Sequence, residues 1–189
     1  MKSKTIPSRV EAHASSWILS NEQVELCLTQ EGGQMAPVTF DHRSTTPIQP
    51  YYISPWQGED DVPDEPVLRR LRGDFFCMPF GANEPYRGER HCVHGEPATE
   101  RWSPKGVVKQ DNRTTLTLTM DTRLRPGRVT KEITLLDGHH AVYTRHILSG
   151  YTGRLPMGHH ATLDAARYRE GAMRISTSPL RFRTAQQPE

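Results

Sequence analysis

The sequence predicts a mainly β protein that folds as one sandwich domain, and three observations support this prediction. Prolines (15) and glycines (14) interrupt the 189 residues often, which leaves little room for long helices. Apolar side chains recur with a period of two, as they do in half-buried strands. Helical signals are confined to one short stretch, "DEPVLRRLR". A chain of this length can bury a substantial core, and we favour a sandwich over a barrel.

Several stretches predict individual strands. In "TTLTLTMDT", Leu116, Leu118 and Met120 alternate with threonines, and "VELCLTQ" alternates in the same way. The stretch "RVTKEITLLDGHHAVYTRHILSG" predicts a hairpin with strands at 128–136 and 139–148, because Asp137-Gly138 between them is a short-turn signal. "PMGHHATL" and "AMRISTSP" predict two further strands.

Other segments connect or flank these strands. Pro66 suits the first position of a short helix, and Asp64 suits its cap. The proline-rich region 41–66 predicts a long ordered loop, with a surface linker as the alternative. Residues 1–20 are expected to form a loose amino-terminal segment. The polar carboxyl end closes no sheet, so we expect an open edge strand that favours self-association.

Charge and composition restrict the class of partner. The formal net charge is only +2, from 24 basic and 22 acidic residues, which argues against a nucleic-acid binder. No apolar run approaches the roughly 20 residues of a membrane helix, and no signal peptide is recognisable. The three cysteines lack CxxC spacing, which indicates reduced thiols in the cytoplasm. A small-molecule partner is therefore expected, with no nucleic acid and no membrane.

Histidines are the most prominent candidates for chemistry. The chain has nine, and six of them form close pairs, namely His91/His94, His139/His140 and His159/His160. Adjacent strand residues point to opposite faces, so only one member of an adjacent pair can face a common site. His91, His94 and Glu96 suit a metal site. Two imidazoles can also transfer protons without a metal, and a polar loop is the third alternative.

Other candidates lie before and after this stretch. Arg72 precedes an apolar run at 75–80, and its guanidinium suits either a hydroxylated or anionic ligand or a solvated basic face. Trp56 and Trp102 suit the core or a platform for the apolar face of a sugar.

Three of these motifs together resemble a known family. "LRG" at 71–73, "CxPFG" at 77–81, and His94-Gly95 followed by Trp102 are similar to motifs of the hexose mutarotase branch of the aldose 1-epimerase superfamily. "MGHHATL" is similar to the family's later N-H strand. The resemblance covers roughly residues 30 to 180. It implies a galactose-mutarotase-like β-supersandwich with a carbohydrate cleft across one sheet, in a protein that interconverts the α and β anomers of an aldohexose.

The resemblance also implies roles for individual residues. Arg72 would contact sugar hydroxyls, His94 would stabilise the ring-opening transition state, and His160 would be the general acid towards the ring oxygen. His159 stands where the family has asparagine and would contact the substrate. Removing the proton of the anomeric hydroxyl while protonating the ring oxygen requires no cofactor and no metal.

The sequence departs from the family in three respects. The later N-H strand is kept only loosely in "MGHHATL". The stretch that begins at His94 continues with Glu96 and lacks the arginine linked with a sugar phosphate, so a phosphorylated substrate is not expected. Glu96 and Trp102 are further candidate substrate-binding residues. The family's glutamate base lies in a later part of a longer chain. The sequence is therefore interpreted as the amino-terminal part of such a protein, incomplete at its carboxyl end. A non-catalytic sugar-binding fragment and a metal-binding sandwich remain alternatives.

Overall fold

The computed structural model describes residues 6–81, 84–166, 168–176 and 179. Its strands are β1 (Ser8–Glu11), β2 (Ala14–Ser20), β3 (Val24–Thr29), β4 (Met35–Phe40), β5 (Asp74–Cys77), β6 (Ser103–Gln110), β7 (Arg113–Thr122), β8 (Gly127–Leu136), β9 (Tyr143–Ser149) and β10 (Gly158–Ala161). Its helices are α1 (Pro66–Arg69) and α2 (Glu96–Thr99), each a single turn. No helix in these ranges is long and apolar enough to cross a membrane. The mainly β prediction is confirmed.

The described strands form two antiparallel sheets. A six-stranded sheet has the order β1-β2-β3-β4-β5-β10, and a four-stranded sheet has the order β6-β7-β8-β9. Apolar side chains from both sheets pack into one core, for example Leu26 and Leu28 against Leu116, Leu118 and Ile133. Burial of these side chains holds the layers together. The predicted sandwich is confirmed.

The period-two strands lie where the sequence predicts them. In β7, Leu116 and Leu118 are fully buried and Met120 is 6% exposed. In β3, Val24, Leu26 and Leu28 form the predicted apolar face, but Cys27 on the other face is fully buried as well. Both faces of β3 are therefore covered by other parts of the chain.

The predicted hairpin has a longer connection than its turn signal indicates. β8 pairs with β9, but Thr134 lies opposite Tyr143, so residues 137–142 form a loop. The Asp137 N–H donates to the Asn112 carbonyl and the Gly138 N–H to the Gln23 side chain. The Asp-Gly turn is therefore tied to neighbouring loops and does not close the β8–β9 pair. His139 and His140 lie in this loop, and the predicted strand start at residue 139 is wrong.

Three further expectations are corrected. Residues 8–20 form β1 and β2 rather than a loose segment, because β2 pairs with both β1 and β3. Pro66 begins α1 as predicted, but the preceding position is Glu65, which makes no side-chain cap, so Asp64 is not the cap. Residues 172–176 of the predicted strand "AMRISTSP" are irregular, and residues 177 and 178 lie outside the described residues.

The region 41–66 is an ordered loop that pairs locally with the sheet. Single bridges join Phe40 to Ile48, Ile53 to Arg72, and Tyr51 to Leu163 beyond β10. The loop is thereby fixed to the end of β4, to the residues just before β5 and to the residues just after β10. It positions β5 and β10, the strands that carry the candidate site.

Candidate functional site

β5 and β10 place the adjacent histidines on opposite faces of the six-stranded sheet. In their antiparallel register, His160 lies opposite Phe75 and His159 lies opposite Phe76. Phe76 belongs to the core between the sheets, whereas Phe75 packs in a separate cluster outside it. His160 therefore lies on the outer face and His159 on the face that carries the core, in keeping with the alternation expected of a strand. The His159 side chain is nevertheless 41% exposed, because β10 is the last strand of its sheet among the described residues.

Backbone hydrogen bonds fix His94 beside the end of β5. The Met78 N–H donates to the His94 carbonyl over 3.1 Å, and the His94 N–H donates to the Gly81 carbonyl over 3.0 Å. Gly95 has a φ of 78°, and a Cβ there would overlap the Met78 carbonyl. Only glycine fits this close approach, which explains the His-Gly pair.

His94 and His160 meet on the outer face. Their ring centroids are 5.0 Å apart with an interplanar angle of 60°, and we call them the histidine pair. Phe75 stacks on His160 at 4.9 Å, and Phe80 lies 5.3 Å from His94. Phe80 is 41% exposed, so an aromatic surface beside the pair is open to solvent.

The surroundings of His94 favour its neutral form. Burial, and secondarily the neighbouring His160, lower the pKa of His94 below its ordinary value of 6.5. The Gly81 N–H points at His94 Nδ1 over 3.4 Å, which makes Nδ1 an acceptor and leaves the proton on Nε2. A neutral His94 can donate an N–H to a substrate oxygen while His160 transfers a proton.

A second histidine contact lies on the inner face. His159 Nδ1 and Asp74 Oδ2 are 2.8 Å apart, and the rings of His159 and His146 are 5.1 Å apart. His146 on β9 stacks on Phe76 at 4.0 Å, and its Nε2 atom is buried with no hydrogen-bond partner among the described residues. Burial, with smaller effects from Lys131 and His159, lowers the pKa of His146 to about 2. His159 is therefore separated by the sheet from the histidine pair.

The sequence analysis did not single out His146 or Lys131. Lys131 is 2% exposed, its Nζ donates to the Gly33 carbonyl over 2.7 Å, and burial lowers its pKa to about 8. It lies opposite His146 in the β8–β9 register. Strand alternation with buried Val129 and Ile133 would have placed Lys131 on the inner face.

Trp102 lies in the core. It is 1% exposed, its Nε1 donates to the Pro97 carbonyl over 3.1 Å, and Lys131 Nζ lies 5.0 Å from its ring centroid. The structure therefore places it between the sheets and not in a substrate site. Of the two alternatives for Trp102, the core is the one observed.

Arg72 is also enclosed. It is fully buried, and its guanidinium donates to the carbonyls of Glu11, Ala12 and Arg70 and to the side-chain oxygen of Gln57. These bonds join the β1–β2 turn to the segment before β5. The expected contact of Arg72 with sugar hydroxyls does not fit this placement, because no donor is directed to the surface.

Glu96 and His91 have structural partners of their own. The Glu96 carboxylate accepts the backbone N–H groups of Arg123 and Leu124 at 3.0 to 3.3 Å, which ties α2 to the β7–β8 turn. His91 Nε2 lies 3.0 Å from Glu89 Oε2. The described residues contain no group of three metal-ligating side chains, so His91, His94 and Glu96 do not form the metal site considered from the sequence.

Comparison with known proteins identifies the fold. No protein-family model and no curated protein matches the chain. The crystal structure of YeaD from Salmonella typhimurium, a proposed mutarotase, matches with a TM-score of 0.50 and 13% identity, over 69% of this chain and 43% of that one. The fold is mutarotase-like. The structure of HI1317 also matches, at a TM-score of 0.46 and 11% identity over 72% of this chain and 49% of that one.

The mutarotase-like fold confirms the predicted fold class. The chain spans less than half the length of either solved structure. At such identities the likeness extends to the fold alone, so the roles of His94 and His160 depend on their geometry in this chain.

Proposed function

We propose that this chain binds an aldohexose at the histidine pair and promotes opening of the sugar ring, as an aldose 1-epimerase does. The observation that carries the proposal is the 5.0 Å separation of the His94 and His160 rings on the outer face of a mutarotase-like sandwich. Two imidazoles at this spacing can contact two oxygens bonded to one carbon, which are the anomeric and ring oxygens of an aldose.

Because His94 is neutral, the two members of the histidine pair have different roles. His94 donates its Nε2 proton as a hydrogen bond to the anomeric oxygen, where negative charge develops. His160 protonates the ring oxygen as the bond between it and the anomeric carbon breaks. The anomeric hydroxyl loses its proton to water or to a carboxylate outside the described residues. The resulting aldehyde rotates and closes again to either anomer.

Phe80 provides the apolar part of the proposed site. It lies 5.3 Å from His94 and is 41% exposed. An exposed aromatic ring suits the apolar C–H face of a hexose. This contact needs no charged group on the ligand, which agrees with an unphosphorylated sugar.

A second candidate function is sugar binding without turnover. The observation that favours it is that, among the described residues, no carboxylate makes a recorded hydrogen bond or ion pair with the histidine pair. In that case the same surface binds the sugar and the anomers interconvert at the rate observed in buffer.

Saturation-transfer NMR of glucose and galactose distinguishes these functions by comparing anomer exchange with and without protein. We expect catalysed exchange that falls by about 100-fold or more in His94→Ala and His160→Ala, since general acid catalysis contributes about 10² to 10⁴. His139→Ala, in the exposed 137–142 loop, is the matched control. Wild-type exchange equal to buffer would reject catalysis, and no saturable binding by calorimetry would reject both functions.

A further inference from the structure

A cavity of about 390 Å³ lies away from the histidine pair. It is open to solvent and lies between the β1–β2 turn, the loop at 57–62, α1 and α2, and its lining includes His13, Glu31, Gln57, Arg69 and Arg70. Neither member of the histidine pair lines it. We call it the Arg69 cavity. Its volume is in the range of small-molecule sites, about 300 to 1,000 Å³.

The charged side chains that line the Arg69 cavity are two arginines, Arg69 and Arg70, and one carboxylate, Glu31, while the other lining residues apart from His13 are neutral. Arg70 forms an ion pair with Glu31 at 2.6 Å. The Arg69 guanidinium and the His13 ring have no recorded hydrogen-bond or ion-pair partner among the described residues. Glu31 is the one carboxylate among the residues that line the cavity, and the acidic run at 59–61 lies between the lining residues Gly58 and Val62. The Arg69 cavity thus contains a free guanidinium beside a neutralised one.

Arg72 adds a positive charge behind the floor of this cavity. Its guanidinium is fully buried, and all its recorded acceptors are neutral, three carbonyls and the Gln57 side-chain oxygen. No carboxylate of the described residues forms an ion pair with it. Burial, with a smaller effect from Arg70, lowers the pKa of Arg72 to about 10, although Glu11 opposes the shift, so an approaching anion would stabilise this charge. Gln57 both lines the cavity and binds Arg72, so this charge lies directly beneath the floor.

We propose that the Arg69 cavity binds the oxyanion group of a small molecule, a phosphate or a carboxylate. The free Arg69 guanidinium offers the planar pair of N–H donors that such groups accept in bidentate fashion. Arg70 and the buried Arg72 supply positive potential, and His13 at the rim provides a further hydrogen bond. This site is independent of the sugar site proposed at the histidine pair.

Isothermal titration with inorganic phosphate and, separately, with succinate tests this proposal on the whole chain. We expect saturable binding of at least one of them, weakened about tenfold or more in Arg69→Gln, because a guanidinium–oxyanion contact is lost. The matched control is Arg43→Gln, whose side chain is exposed and only loosely paired with Glu22 at 3.8 Å. It should bind like wild type.

Glu31→Gln should change the affinity for the oxyanion in the opposite direction. It removes the lining carboxylate and releases Arg70, so binding should become several-fold tighter. Glu31 is 41% exposed, so the substitution should leave folding unchanged. No saturable binding of either oxyanion, or equal weakening in Arg69→Gln and Arg43→Gln, would overturn the proposal. Oxyanion binding that persists in His94→Ala would show that the Arg69 cavity does not depend on the sugar site.

Discussion

His94 and His160 lie with their rings 5.0 Å apart, edge to face, on the outer side of the six-stranded sheet. One belongs to a glycine-containing turn before α2, and the other belongs to β10. Phe75, which is 1% exposed, packs against both rings and fixes their spacing. Two imidazoles held this closely in a partly buried setting disfavour a second proton, and this coupling can be measured.

The pKa of His94 should respond to His160. In the wild type we expect a midpoint below 6.5 by NMR titration of the imidazole nitrogens, chiefly because of burial and secondarily because of His160. His160→Ala removes the second cause, so the midpoint should rise while staying below 6.5. His139→Ala should leave it unchanged. A wild-type midpoint at or above 6.5 would contradict the arrangement.

Acid sensitivity of folding should depend on His146. Its folded pKa is about 2 against an ordinary value of 6.5, so between these values the unfolded chain binds a proton that the folded chain does not. The free energy of unfolding should fall below about pH 6.5 by up to about 1.4 kcal/mol per pH unit from this group.

His146→Phe keeps a ring against Phe76 and removes the unpartnered Nε2. Between pH 7 and pH 5, the free energy of unfolding measured with urea should fall by about 2 kcal/mol less in the variant than in the wild type. His139→Phe serves as the control. If the free energy of unfolding fell equally in the wild type and in His146→Phe, His146 would not be held neutral.

Arg72 should matter for stability and not for sugar affinity. Arg72→Lys cannot reach all the acceptors that the guanidinium joins, so buried carbonyls lose their donors. We expect a loss of about 2 to 4 kcal/mol in the free energy of unfolding, with unchanged sugar binding by calorimetry. Arg43→Lys should change neither the free energy of unfolding nor the sugar affinity. Weakened sugar binding at unchanged stability would place Arg72 in the sugar site after all.

Glu96 should contribute to stability through the β7–β8 turn. Glu96→Gln weakens the acceptor of the Arg123 and Leu124 amides, and we expect a loss of about 1 to 2 kcal/mol in urea unfolding. Glu100→Gln removes one exposed ion pair with Arg123 and should lose less than about 0.5 kcal/mol. Equal losses would mean that the amide contacts are not decisive.

The sequence predicts self-association through an open edge strand, and we expect β9 to be that strand. This strand is the last of its sheet in the described part of the chain, and Tyr143 and Ile147 on it are 44% and 43% exposed. Ile147→Lys should lower the average mass in sedimentation equilibrium, because an edge charge opposes strand pairing. Leu124→Lys, in a turn, should not. A monomeric wild type would reject the association.

Much of the fold could be predicted from local pattern. The alternation in "TTLTLTMDT" identified β7 with its buried face, and the proline count indicated that helices would be short. The length of the β8–β9 connection could not be predicted, because the Asp137 and Gly138 amides bind Asn112 and Gln23 from other loops. Local turn propensity competes with such contacts and here is overridden.

The candidate site was only partly predictable. His94 and His160 were selected from the sequence, and strand alternation correctly required that His159 and His160 diverge. The surroundings of Arg72, Trp102 and Glu96 were not predictable, because the burial of a polar or aromatic side chain depends on which distant backbone groups reach it. Each of the three finds its partners in another segment.

The sequence by itself determined the class of fold and most of the strands that build it, since the alternation of apolar and polar side chains can be seen in consecutive residues. Only the tertiary structure decided which polar side chains are free to act. It encloses Arg72 and Trp102, ties Glu96 to a turn, and pairs His159 with Asp74, while it leaves Phe80 exposed beside His94 and His160. The physical reason is that local periodicity sets the face on which a side chain lies, whereas packing between distant segments sets what covers that face.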